Sequence, residues 1–143
     1  MNLQKHQEIL QEVLDEIQSA QNDPKGLLPH QRRLALMLSL GMCELIEIYF
    51  HKLGVFKEGS RIKHDWFRQK RVKEKLEQQI ITSINTIKPI DQVIALAVEI
   101  EKGRDELAYG TSSTKVPLDT KIKQFFELKF IIENEVGALY GTK

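Results

Sequence analysis

The run LALMLSLGMCELIEIYF, residues 34–50, decides how the rest of the chain is read. It is apolar around most of a helical circumference. An amphipathic surface helix shows one apolar stripe, whereas a helix apolar on most sides belongs in the middle of a bundle. Pro29 suits the first turn of this helix and Gly54 its C-terminal cap, so the element runs from about Pro29 to Leu53. Cys43 is the only cysteine, so no internal disulfide forms. Its place in the apolar run favours a buried thiol over a reactive one.

Working outward, the segment before it has Leu3, Leu10, Val13, Leu14 and Ile17 on one stripe. That spacing predicts a helix from about Leu3 to Gln21, stopped by Asn22, Asp23, Pro24 and Gly26. After it, residues 55–65 read as a loop. Asp65 is a candidate N-cap for a third helix from Trp66 to about Thr86. Lys88-Pro89 breaks or kinks that helix, and a fourth helix or its continuation runs from about Ile90 to Tyr109. GTSSTKVP reads as a loop. Asp119 or Thr120 opens a last helix to about Tyr140, carrying Ile122, Phe125, Phe126, Ile132, Val136 and Leu139. No strand-like alternation, repeat or low-complexity tract interrupts this pattern. The expected architecture is all-α, an up-and-down bundle of four or five helices forming one domain over residues 1–143.

Bulk composition agrees. The chain has 143 residues, 41% hydrophobic and 29% charged, which is long enough for a core without staples and too apolar for disorder. No signal peptide and no run of 18 apolar residues appears, so the sequence predicts no membrane span and a cytoplasmic location. The net charge of +1 conceals a gradient. Residues 57–75 hold eight Lys/Arg against three Asp/Glu, a balance of +5, leaving −4 elsewhere. This stretch, KEGSRIKHDWFRQKRVKEK, sets Arg61, Lys63, Arg68, Lys70 and Arg71 beside Trp66 and Phe67. Such cations neutralise phosphates, and an exposed aromatic stacks on an unpaired base. The competing reading is a solvated face with both aromatics packed inward. His64, in the loop beside Asp65, is the best-placed spare histidine for proton transfer, though nothing in the sequence brings it to another site.

The second informative stretch is EIEKGRDELAYGTSSTKVPLD, residues 99–119. Val93, Ala97, Ile100, Arg104 and Leu107 recur at helical spacing, which puts Arg104 on the stripe of core-facing residues. A guanidinium does not deprotonate there and needs an anionic or carbonyl partner. In the plainer alternative, it snorkels from the helix end, where a cation suits the dipole. Asp105 is placed to orient it, and Tyr109 supplies a phenol one turn on.

Taken with the helix that follows, GRDELAYGTSSTKVPLDTKIKQFFELKFIIE resembles the C-terminal half of HEPN domains, in the form of the helical toxin of HEPN–nucleotidyltransferase pairs. The resemblance implies a four- or five-helix bundle that dimerises and, in active members, cleaves RNA without a metal or other cofactor. Arg104 matches the arginine that would bind or polarise the scissile phosphate, and Asp105 the polar residue beside it. Where the pattern has histidine, this chain has Tyr109, a poor general base at neutral pH but able to donate a proton or stack on a base. The expectation is therefore an RNA- or nucleotide-binding HEPN-like homodimer, either a divergent ribonuclease or an inactive relative. A nucleotidyltransferase partner is implied by the resemblance alone. The alternative is a non-enzymatic helical interaction module, with Arg104 and Asp105 as a structural ion pair. Glu44, Glu47 and His51 share the second helix, but their spacing is not that of di-iron bundles. Glu47 and His51, four apart on one face, read as a surface pair, not a metal site. His6 and His30 have no ligand-spaced partners, and no P-loop, GxGxxG, CxxC, HExxH or GxSxG occurs.

Overall fold

The computed structural model describes residues 2–110 and 116–139, with the side chains of residues 116 and 117 left aside. It is an all-α bundle. Helix α1 spans Leu3–Gln21, α2 Gln31–Leu53, α3 Val72–Glu77, α4 Ile90–Glu101, α5 Arg104–Tyr109 and α6 Val116–Val136. Short 3-10 turns lie at Leu28–His30, His64–Arg68 and Ile84–Thr86. The predicted loop GTSSTKVP falls mostly outside the described residues, as does Tyr140.

Helix α2 is the axis of the molecule. It packs against α1, α4, α5 and α6, and residues 41–50 are buried without exception. The segment Leu28–Leu53 is long and apolar enough to cross a membrane, but 78% of its apolar window is buried inside the bundle. Gly54, left-handed at φ 74°, caps it. Helix α1 begins at Asn2, whose side chain accepts from the Lys5 N–H, and buries His6, Leu10, Val13, Ile17 and Ala20 at spacings of four and three. Leu3 and Leu14 are only half-buried, and His6 extends the stripe in their place.

Two expected helices are corrected. The third does not run from Trp66 to Thr86. Phe67 and Val72 are both buried, yet five positions apart, which is not a helical repeat. One straight helix cannot point both inward, so the backbone turns extended at Gln69 before α3 starts. After α3 the chain pairs briefly with the preceding loop through the Phe56–Ile80 bridge, the Lys57 N–H donating to the Gln79 carbonyl at 2.8 Å and the Ile81 N–H to the Val55 carbonyl at 2.9 Å. Pro89 opens a separate helix, α4, rather than kinking a continuous one. That helix stops early, at Glu101. Lys102 is extended and Gly103 is left-handed at φ 75°, so α5 starts afresh with Arg104 as its first residue. The last helix starts at Val116, before Asp119, and ends at Val136, where Gly137 takes φ 84°.

Candidate functional site

The break between α4 and α5 aims the last carboxylate of α4 inward. Glu101 has a fully buried side chain. Its Oε1 accepts from Ser39 Oγ at 2.7 Å, and its Oε2 accepts from Arg68 Nε at 2.9 Å. His64 Nδ1 lies 2.7 Å from the same Oε2. A carboxylate only accepts, so that bond leaves Nε2 as the imidazole's free face. Arg68 then reaches Asp105 with two parallel bonds of 3.0 and 3.1 Å, and Asp105 Oδ1 also accepts from Arg104 Nη1 at 2.7 Å. The chain of contacts runs Ser39–Glu101–Arg68–Asp105–Arg104, with His64 hanging from Glu101. The bonds from Arg68, and then from Arg104, hold the Asp105 carboxyl below the usual carboxylate range. The same Asp105 pair, joined by Glu101, raises Arg68 and keeps it charged.

Arg104 is not an internal core residue, because the break resets the helical phase before it. Its side chain is 18% exposed at the core's edge. Nη1 serves Asp105, while Nε is buried with no hydrogen-bond partner among the described residues. Arg104 and His64 line one cavity of about 670 Å³, walled by α2, the 60–65 segment and the start of α1. Arg61 and Lys63 line it as well. The structure thus brings His64 to Arg104, a proximity the sequence had no means of revealing. A shallower recess of about 430 Å³ lies on the other side of Arg104, beside Arg68 and Asp105.

The other sequence candidates fall elsewhere. Tyr109 is 71% exposed and lines neither recess. It stands five residues from Arg104 on the same short helix, hence on another face. Lys70 and Arg71 are exposed and outside both recesses, Arg71 lying 3.8 Å from Glu74. Phe67 is buried at the base of the 64–68 turn and Trp66 is half-buried, which fits the inward-packed reading of these aromatics.

A second cluster occupies the same cavity, and it corrects the reading of Glu47 and His51 as a surface pair. Glu44 and Glu47 are both buried, and their partner comes from α1. His6 Nδ1 lies 2.6 Å from Glu44 Oε1, and His6 Nε2 lies 3.1 Å from Glu47 Oε1. Glu47 Oε2 accepts the Ile62 backbone N–H at 2.7 Å. Burial pushes the Glu47 carboxyl upward, opposed by that N–H and by His6. His51 packs beside His6, ring centroids 5.2 Å apart, and burial lowers its basicity. Spacing alone could not find this cluster, because His6 is separated from Glu44 by a whole helix and a turn. The one signal in the sequence was His6 lying four residues before Leu10 on the buried stripe of α1.

Comparisons with family models, with curated proteins and with solved structures find no match to this chain.

Proposed function

We infer that this is a HEPN-like, RNA- or nucleotide-binding helical protein, cytoplasmic and homodimeric, whose phosphate site is the cavity at Arg104. The observation that carries this reading is the state of Arg104 itself. One arm of its guanidinium is held by Asp105, and its Nε is buried with no hydrogen-bond partner among the described residues, at the edge of a cavity. A buried donor left unmade is costly, and an anionic oxygen would satisfy it with a charge-assisted bond. Arg61 and Lys63 at the same cavity add cations for a phosphate backbone.

Cleavage, if the protein carries it out, would use His64 rather than Tyr109. Glu101 fixes the orientation of the His64 ring through Nδ1 and leaves Nε2 to exchange a proton with a substrate, the arrangement a general base requires. Arg104 would polarise the phosphate while His64 takes the proton of the neighbouring 2′-hydroxyl, whose oxygen bonds to phosphorus as the bond to the 5′-oxygen breaks. The products are a 2′,3′-cyclic phosphate and a 5′-hydroxyl, which receives the proton back from His64. A nucleotidyltransferase partner rests only on the resemblance of the 103–133 segment.

The test is binding and cleavage of RNA by the purified protein in chelator, beside Arg104→Ala and His64→Ala. Losing a charged contact of this kind is worth about 1.5–3 kcal/mol, so Arg104→Ala should weaken binding by roughly ten- to a hundredfold. His64→Ala should abolish cleavage and leave binding nearly intact. Binding without cleavage, weakened in Arg104→Ala, would mark an inactive relative using the same cavity. Absence of both in folded protein would sink the reading.

One observation favours a different reading, a helical interaction module. Phe126 and Phe130 are 39% and 62% exposed, four residues apart on the outer face of α6. Two exposed aromatics on adjacent turns are what a docking helix presents. In that reading Asp105 and Arg104 are a structural ion pair.

A further inference from the structure

The cavity at Arg104 holds a second set of groups that phosphate binding does not use, and these suit a different ligand. His6 from α1 and Glu44 and Glu47 from α2 are all buried. One nitrogen of the ring and one oxygen from each carboxylate lie within 4.8 Å of one another. A first-row divalent ion holds nitrogen and oxygen donors at about 2.0–2.2 Å, which puts tetrahedral donors roughly 3.4 Å apart. The two carboxylates meet different ring nitrogens, so closing the three onto one centre requires one carboxylate to swing to the other's side of the ring.

Charge points the same way. Two buried carboxylates face the two nitrogens of a single imidazole. Both bonds form only if both nitrogens carry hydrogen or one carboxyl is protonated, and two ionised carboxylates would still exceed the ring's charge by one. A divalent cation bound to neutral His6 and both carboxylates removes that excess. The surroundings are arranged for it as well. The Ile62 N–H occupies Glu47 Oε2 and leaves Oε1 directed at His6, the kind of outer contact that orients a ligating carboxylate. The cavity supplies an entry path and room for water on the open side of the ion. Beside the cluster, His51 Nε2 is buried with no hydrogen-bond partner among the described residues.

We propose that His6, Glu44 and Glu47 form a binding site for a first-row divalent metal ion of the zinc class. Imidazole favours zinc, iron and nickel, and two carboxylates extend the choice to manganese. Three protein donors leave a position open toward the cavity, as in sites whose ion carries an exchangeable water. The site does not depend on RNA binding and is independent of the inference drawn for Arg104.

The experiment uses the full chain, stripped with chelator and dialysed, with no RNA present. Calorimetric titration with Zn²⁺ alone, and separately with Mn²⁺, should give one ion per chain. At a hundredfold excess over Kd the ion should raise the Tm by roughly 5–10 °C. Glu44→Gln and Glu47→Gln should each weaken binding at least tenfold, whereas His30→Asn, which removes a histidine paired with Asp23 at the other end of α1, should not change it. Should a glutamine variant fail to fold, the wild-type protein still decides. Ring ¹⁵N resonances of His6 should move on adding Zn²⁺, and those of His30 should stay in place. No stoichiometric binding, binding indifferent to Glu44→Gln and Glu47→Gln, or resonance shifts confined to other histidines would overturn the proposal.

Discussion

Asp105 shows how much a single exposed side chain can be governed by its neighbours. Arg68 grips both of its oxygens and Arg104 shares one of them. Its folded pKa is lowered, so its contribution is complete above the ordinary carboxylate range and is lost as pH falls through the folded value. A side-chain ¹³C titration should therefore give an Asp105 midpoint below the usual value of about 3.9. In Arg68→Ala that midpoint should rise, because the first of its two cationic partners has gone. A midpoint indifferent to Arg68→Ala would mean that the fork seen here does not persist in solution. Cys43 is governed by burial instead. Removal from water, and then the negative charges of Glu101 and Glu47, push its thiol far upward. The thiolate is the reactive form, so a disulfide reagent at pH 8 should label native protein slowly and denatured protein at once. Rapid stoichiometric labelling of the folded chain would contradict the burial of α2.

Among the elements, α1, α2 and α6 come close together at Gly41. A Cβ built there would lie 2.7 Å from Phe125 Cε1 and 2.8 Å from Val13 Cγ1. The glycine is helical, so the requirement is space, not backbone freedom. Ala is the better helix former, by about 1 kcal/mol, but its methyl must displace a buried ring and a β-branched side chain. Overpacking of that kind costs about 1–3 kcal/mol, so Gly41→Ala should be destabilised by roughly 1 kcal/mol net in urea unfolding. A more stable variant would show that the three helices have room to separate. Gly103 has the opposite requirement. It is left-handed at φ 75°, and the nearest side-chain atom to an added Cβ is 3.8 Å away. Gly103→Ala should thus cost about 1–2 kcal/mol through backbone strain alone. Because Gly103 sets the angle between Glu101 and Arg104, the same variant should lower RNA affinity if the Arg104 cavity is the phosphate site.

For the molecule as a whole, the exposed aromatic face of α6 is the surface to test for association. Phe126 and Phe130 face outward, with the bundle's interior already closed behind them by Phe125, Leu128 and Ile132. If a homodimer forms, and does so through this face, light scattering should report a two-chain mass for the wild type and a one-chain mass for Phe130→Asp. An unchanged two-chain mass would move the dimer contact to another surface. A one-chain wild type would leave the face for a different partner, as the interaction-module reading expects. The Arg104 cavity opens between α2 and the 60–65 segment and involves neither phenylalanine. RNA binding by Phe130→Asp therefore distinguishes a cavity complete within one chain from one that needs two.

The sequence by itself determined the all-α class, the central place of α2 and the buried stripes of α1 and α4, because helical periodicity is a local property that any window of residues displays. It also marked Arg104 and Asp105, since a charged pair ending an apolar stripe stands out without tertiary knowledge. It could not place the breaks at Gln69 and Lys102-Gly103. Those follow from Phe67, Val72 and Glu101 each finding a partner inside, and the local pattern is silent on partners. Only the tertiary structure brought His64 onto Glu101 across 37 positions and His6 onto Glu44 across 38. Bundle packing converts sequence distance into contact, and a buried charge is stable only where that packing supplies its counterpart.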